Sequence, residues 1–214
     1  MVIKLILFWG CLFLFYSWGV AENQLLPLPQ KCVFSGKPFA VGKVRLQTPV
    51  LEREFRDIWK QMGGVVERQA QADIVVKLVP ELKGIPLNRN EAYRLNVTSH
   101  NITVEAETER GVYWAVQTLR QLAQKKGKRI VIPGCAITDW PAFRIRGFMQ
   151  DVGRTYISME ELKREIAVLS RFKINVFHWH LTENQAWRLE SRIFPVLNDS
   201  ANMTRCPGKY YTLE

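Results

Sequence analysis

Two periodicities alternate along the chain. In some stretches apolar residues recur every three or four positions; in others short runs are dense in β-branched residues. That alternation marks an α/β protein. Glu52 to Met62 predicts a helix that Gly63-Gly64 stops. Asp73 to Val79 predicts a strand. Tyr93 to Thr98 and Ile102 to Ala106 flank the polar turn Ser99-His100-Asn101 and predict an antiparallel hairpin. From about Glu109 to Gln124, Val112, Val116, Leu119 and Ala123 share one helical face. Arg129 to Ile132 predicts a short strand. Pro133-Gly134 and Asp139-Trp140-Pro141 then break the chain, which places a domain boundary near residue 140.

Beyond the boundary, Arg144 to Val152 predicts a strand. Ser158-Met159-Glu160-Glu161 is a capping box that opens a helix. Met159, Leu162, Ile166, Leu169 and Phe172 form its expected buried stripe. Ile174 to Leu181 predicts a second strand, and the chain after Pro195 reads as loop. Thr212, in the closing Tyr210-Tyr211-Thr212-Leu213-Glu214, resembles the N-cap of a helix that does not follow. A strand–helix–strand unit has parallel strands and a right-handed crossover. The polar endings Arg154 and Glu183-Asn184 therefore fall at one sheet edge, where α/β proteins carry out their chemistry. Two parallel strands and one helix cannot cover both faces of a sheet. The 214 residues are expected to be the front part of a longer protein or a truncated gene product.

The first 21 residues stand apart from the fold. Lys4 precedes an apolar run from Leu5 to Val20, and Gly19-Val20-Ala21 is a small-x-small cleavage site before Glu22. That is a secretory signal peptide. A membrane anchor is the alternative, and Cys11 adds a lipoprotein possibility that the bulky Phe8-Trp9 before it disfavours. After signal removal no membrane span is expected, and the mature chain is expected to be secreted or periplasmic. Formal net charge is +10, and loss of Lys4 leaves +9. The charges are interspersed, so no nucleic-acid partner is expected. The one dense cluster, Lys125-Lys126-Gly127-Lys128-Arg129, sits where a helix is expected to end, and the helix dipole favours cations there. The mature cysteines, Cys32, Cys135 and Cys206, allow at most one internal disulfide, and spacing alone does not pair them. Sequons lie at Asn96, Asn101, Asn198 and Asn202.

Two strings carry a resemblance: Arg146-Gly147-Phe148-Met149-Gln150-Asp151-Val152-Gly153-Arg154, and Asn175-Val176-Phe177-His178-Trp179-His180-Leu181-Thr182 after the capped helix. With Ala186-Trp187-Arg188-Leu189-Glu190 and Phe194-Pro195 they resemble the opening of the catalytic barrel of family 20 glycoside hydrolases, the β-N-acetylhexosaminidases. Glu109 to Leu122 resembles the last helix of that family's small N-terminal domain. The implied fold is a small α/β domain (an antiparallel sheet with helices) at 22–140, then an incomplete (β/α)8 TIM barrel at 141–214. A complete barrel takes about 250 residues.

The resemblance implies exo-hydrolysis of terminal β-linked N-acetylglucosamine or N-acetylgalactosamine with retention, the substrate's acetamido oxygen acting as nucleophile. The partners implied are N-acetylhexosamine-terminated glycans, with no cofactor. The family's Asp-Glu acid/base pair, on the fourth barrel strand, is expected after Glu214, so no catalytic residue is expected in this chain. Arg154 matches the arginine that holds the terminal sugar's hydroxyls, and a planar fork of donors suits two vicinal hydroxyls. Glu183 stands where the family often has Asp, and is expected to hold Arg154 or accept a sugar hydroxyl. Asn184 and Thr155 depart from the family's usual Asp and His. Asp151, His180 and Arg146 are expected to support the site: Asp151 by orienting Arg154, His180 as a hydrogen-bonding support, Arg146 from the far end of its strand in an internal ion pair.

Two rivals remain open. One is a non-catalytic carbohydrate-binding protein or pseudo-enzyme. The other is a metal-dependent barrel hydrolase that uses His178 and His180, which share a strand face. Such a site needs further ligands, and the remaining histidine, His100, lies in a distant turn. The expected metal is none.

Overall fold

The computed structural model describes residues 25–68 and 72–213. The expected signal peptide, residues 1–21, lies outside the described residues. So does Glu214, the residue beyond which the acid/base pair is expected. Strand β1 (Lys31–Phe34), β2 (Phe39–Val41) and β3 (Lys43–Gln47) lead into helix α1 (Glu52–Gln61). Then come β4 (Val65–Arg68), β5 (Ile74–Leu78), the hairpin β6 (Tyr93–Val97) and β7 (Ile102–Ala106), and helix α2 (Glu109–Leu122). Strands β8 (Gln124–Lys126), β9 (Arg129–Ile132) and β10 (Cys135–Asp139) complete this part.

Seven strands form one sheet in the order β1-β10-β6-β7-β5-β3-β4. The resemblance implies an antiparallel sheet for this part; the sheet is mixed. Strands β1, β10, β6 and β7 pair antiparallel, whereas β7, β5, β3 and β4 run parallel. The parallel half follows from α1, whose crossover returns the chain to lie beside β3 in the same direction. Strand β10 escapes sequence reading because its five residues lie between two breakers. Phe55, Ile58 and Trp59 of α1, and Val112, Ala115, Val116 and Leu119 of α2, are buried with the sheet residues Val44, Leu46, Ile74, Leu95, Ile102 and Val104. Each large aliphatic or aromatic side chain fully removed from water contributes about 1.5–3 kcal/mol. Thr108 caps α2, accepting a hydrogen bond from the Gly111 amide. A Cβ at Gly111 would stand 2.2 Å from the Ala92 carbonyl oxygen, so only glycine allows α2 to lie this close to the segment that leads into β6.

The basic cluster does not sit on a helix end. Helix α2 stops at Leu122, and Lys125 to Arg129 span the β8–β9 hairpin around a turn at Gly127-Lys128; β9 pairs with β2 in a separate three-stranded sheet.

After residue 140 come β11 (Gly147–Asp151), α3 (Met159–Arg171) and β12 (Val176–His180), followed by β13 (Thr182–Glu183) and β14 (Ala186–Trp187). Strands β11 and β12 pair in parallel with Asp151 opposite His180 at the last position. Among the described residues they form a two-stranded sheet, an open start to a barrel and not a closed one. The capping box is made in full: the Ser158 hydroxyl accepts from the Glu161 amide and Glu161 accepts from the Ser158 amide. The expected buried stripe of α3 is mostly in water. Leu162 is 2 % exposed, but Met159, Ile166 and Phe172 are 39, 46 and 46 % exposed. Of the stripe, Leu162 is the residue that joins the small core with Val152, Phe177 and Trp179 on and beside the two strands. The sequence expected loop after Pro195; short 3₁₀ turns occupy Pro195–Asn198 and Ser200–Asn202, and Thr212 caps no helix among the described residues.

Buried charge joins the two parts. The Lys173 ammonium donates to Asp139 Oδ2 at 2.6 Å and to the Tyr93 hydroxyl at 2.9 Å. Arg146 pairs with Glu91, which also accepts from Trp114 Nε1 at 2.8 Å and from the Asn175 amide at 3.2 Å. Both acids come from the N-terminal part and both bases from the β11–α3–β12 part. Burial pulls the Lys173 ammonium below its ordinary range, and Asp139 opposes that shift.

Candidate functional site at the strand rim

Asp151 and His180 end their strands as a register pair. Three residues beyond each come Arg154 and Glu183, and this equal spacing brings them together across the rim. The Asp151 side chain turns the chain back on itself: Oδ1 accepts from the Arg154 amide at 3.1 Å, and Oδ2 lies 3.3 Å from Arg154 Nε. Arg154 Nη2 donates to Glu183 Oε1 at 3.3 Å, and His180 Nε2 lies 3.7 Å from the same oxygen. The guanidinium is thus held between two carboxylates, and its side chain is still 64 % exposed. Nε and Nη2 are engaged by the two carboxylates; the Nη1 hydrogens meet no partner among the described residues.

Glu183 is placed by backbone. It pairs with Ala186 in the small β13–β14 hairpin, and Gly153 packs against it. A Cβ at Gly153 would fall 2.9 Å from Glu183 Cβ and 3.0 Å from its amide nitrogen. Below the rim, Val152, Leu162 and Tyr211 form a small core with Tyr156, Phe177 and Trp179. Burial pushes the Tyr211 phenol up, and its hydroxyl donates to the Ile157 carbonyl at 2.6 Å. The Leu213 amide, which Glu190 accepts at 2.9 Å, holds that carboxyl below its usual range.

Four of the predicted residues, Arg154, Glu183, Asp151 and His180, therefore meet at one point. Arg146 is apart from them, at the opposite end of β11, in its internal ion pair with Glu91. His178 is exposed, its ring centroid 6.1 Å from that of His180. One donor atom each from Asp151, His180 and Glu183 lie within 4.8 Å of one another. That trio does not include His178, and the Arg154 guanidinium already balances both its carboxylates. Two cavities lie away from this point. One of about 1040 Å³ is lined by Arg110, Trp114, Ile166 and Asn175, and one of about 240 Å³ by Trp114, Trp140, Asp139 and Lys173. Both lie at the junction of the two parts.

The sequence matches glycosyl hydrolase family 20, domain 2, over residues 22–140 and the catalytic domain of the same family over residues 143–214. The chain belongs to glycosyl hydrolase family 20. A β-hexosaminidase of Porphyromonas gingivalis is 31 % identical over 202 residues, covering 86 % of this chain and 26 % of the relative. A β-hexosaminidase of Vibrio furnissii is 38 % identical over 186 residues, covering 84 % of this chain and 30 % of the relative. The crystal structure of the family 20 exo-β-N-acetylglucosaminidase of Vibrio harveyi in complex with N-acetylglucosamine superposes with a TM-score of 0.75 at 27 % identity, over 88 % of this chain and 32 % of that one. The chain thus spans between a quarter and a third of the length of these family 20 proteins.

Sequence reading missed two residues behind the rim, Gly153 as the contact surface for Glu183 and Arg188 as a donor to the Gly153 carbonyl. Gly153 offered only its lack of a side chain. Arg188 offered a stronger signal: a basic residue directly before an apolar one in Ala186-Trp187-Arg188-Leu189, close behind the site. Its side chain is fully buried.

Proposed function

We propose that this chain supplies the small N-terminal domain (22–140) and the opening of the catalytic barrel (141–214) of an exo-acting β-N-acetylhexosaminidase. Such an enzyme releases terminal β-linked N-acetylglucosamine or N-acetylgalactosamine from glycans. The N-terminal sequence supports export, to the cell exterior or periplasm, and no helix among the described residues is long and apolar enough to cross a membrane. The observation that carries the reading is Arg154: a guanidinium fixed on its inner side by Asp151 and Glu183, with outer donors open at the C-terminal rim of two parallel strands. Its free fork fits two vicinal ring hydroxyls. Glu183 Oε1 and His180 stand beside it as further sugar-facing polar groups.

In this reading the rim binds and orients the non-reducing sugar, and the substrate's acetamido oxygen attacks the anomeric carbon while a carboxylic acid protonates the leaving oxygen. No adjacent Asp-Glu pair lies at a strand end among the described residues. Glu160-Glu161 belongs to the cap of α3. The acid therefore has to come from further strands of the barrel, beyond Glu214, and the 214-residue chain alone is expected to hydrolyse nothing.

The test is hydrolysis of an aryl β-N-acetylglucosaminide by a polypeptide in which the barrel is complete. Arg154→Ala removes two charge-assisted hydrogen bonds and is expected to lower kcat/KM about 100-fold or more. Unchanged kinetics would remove Arg154 from the site. Binding of N-acetylglucosamine without turnover by the complete protein would favour the non-catalytic carbohydrate-binding reading.

A further inference from the structure

Arg188 is a fully buried guanidinium that pairs with no carboxylate among the described residues. Its neighbours are main-chain carbonyls. Nε donates to Val152 O at 3.0 Å, and Nη2 to Gly153 O at 3.2 Å and Arg205 O at 2.7 Å. Nη1 donates to Cys206 O at 3.0 Å and Lys209 O at 2.7 Å, with Met203 Sδ at 3.7 Å. All five N–H groups of the side chain are thus used on five carbonyl oxygens. Burying a charge with no counter-charge is costly. Only a planar, five-donor cation can tie this many carbonyls from two separate segments, and the three donors of an ammonium cannot.

Two of those carbonyls directly precede Arg154. The peptide between Gly153 and Arg154 is held at both ends: its oxygen by Arg188 Nη2, its N–H by Asp151 Oδ1 at 3.1 Å. With that plane fixed, the stance of Arg154 depends on few remaining torsions. The main chain of Arg188 reaches the other strand. Its amide donates to Leu181 O at 2.9 Å, just past the end of β12, and Leu181 leads through Thr182 into Glu183. Its carbonyl accepts from the Tyr211 amide at 2.7 Å. One residue therefore joins the segment that carries Arg154 to the segment that carries Glu183.

We propose that Arg188 is a positioning residue for the sugar site, acting through Arg154 without touching the substrate itself. This rests on the reading of Arg154 as a sugar-binding residue, but its structural half is tested apart from it. In the full 214-residue chain, the Arg188 side chain is expected to give separate, slowly averaged Nη–H proton resonances, because rotation about its Nε–Cζ bond would break four hydrogen bonds. A single averaged signal would overturn the proposal even if no variant folds. In Arg188→Lys, hydrogen exchange is expected to quicken about tenfold or more at the Arg154 amide and through residues 203–210, while α2 and the seven-stranded sheet keep their protection. Exchange unchanged at Arg154 would also overturn it.

For the functional half, Arg188→Lys in a polypeptide with the complete barrel is expected to raise KM for an aryl β-N-acetylglucosaminide about tenfold, with kcat reduced less and the pH profile unmoved. Arg154→Ala is measured beside it. If Arg154→Ala loses activity while Arg188→Lys keeps a native KM, the positioning role fails and the sugar-site reading stands. If Arg154→Ala keeps full activity, the sugar-site reading fails, and the exchange result alone decides whether Arg188 holds the rim.

Discussion

Lys173→Met tests the join between the two parts of the chain. Lys173 follows α3 with a backbone φ of +60°, an uncommon conformation for a residue with a side chain. Its side chain passes into the N-terminal part, where it and Asp139 are 9 and 8 % exposed. Methionine matches the apolar stem but removes the ammonium. The Asp139 carboxylate then keeps its hydrogen bonds from the Gln30 amide at 3.1 Å and the Tyr93 hydroxyl at 3.1 Å, and loses its counter-charge. Stranding one member of a buried pair costs about 3–5 kcal/mol. For a protein of this size that corresponds to a fall in Tm of about 6–20 °C. The assay is thermal and urea unfolding of wild type, Lys173→Met, Asp139→Asn and the double variant. The double variant strands no charge, so it is expected to recover at least half of the loss and to be clearly less unstable than the sum of the two single variants. A loss below about 1 kcal/mol for Lys173→Met, or a double variant as unstable as the sum of the singles, would refute the reasoning that this pair is a buried, coupled clasp.

Three further outcomes are expected. Gly111→Ala, which in an exposed helix interior would gain about 1 kcal/mol, is expected to cost about 1–3 kcal/mol here, because its methyl meets the Ala92 carbonyl; a stabilised variant in urea unfolding would contradict the close approach. Ser158→Ala removes the α3 cap and is expected to cost about 1 kcal/mol, read as a Tm lower by about 2–4 °C. Acid titration of stability is expected to show Asp73. The Arg45 guanidinium, with hydrogen bonds at 2.6 and 3.0 Å, holds this carboxyl below its usual range. Its contribution is fully present above the unfolded value near 4 and is lost as pH falls through the lower native value. Asp73→Asn should flatten that part of the Tm–pH curve, and an unchanged slope would count against the pairing.

How much of this was legible beforehand differs residue by residue. The rim site was, because Arg154 and Glu183 are placed by short-range rules. Each follows its strand end by three residues, and a parallel pair puts both ends on one side. Asp151 as the orienter of Arg154 was legible for the same reason, since the two are joined by a turn three residues long. The fate of the α3 stripe was not. Periodicity shows which residues share a face and says nothing about what covers that face, and two strands leave Ile166 and Phe172 in water. Lys125 to Arg129 show the same limit: charge and position suggested a helix end, but pairing with β2 through β9 made the segment a hairpin.

The amino-acid order alone determined what depends on neighbours a few residues apart: the capping box at Ser158, the apolar face of α2, the β6–β7 hairpin and the family motifs around Arg154. Tertiary structure decided what depends on contacts across long separations. Strand β7 lies between β6 and β5, antiparallel to the first and parallel to the second, because the whole sheet chooses its order. Lys173 finds Asp139, 34 residues away, Arg146 finds Glu91, 55 away, and Arg188 finds the Val152 carbonyl, 36 away. A buried charge is tolerable only where its partners already stand, and those partners belong to the folded chain, not to any local stretch of it.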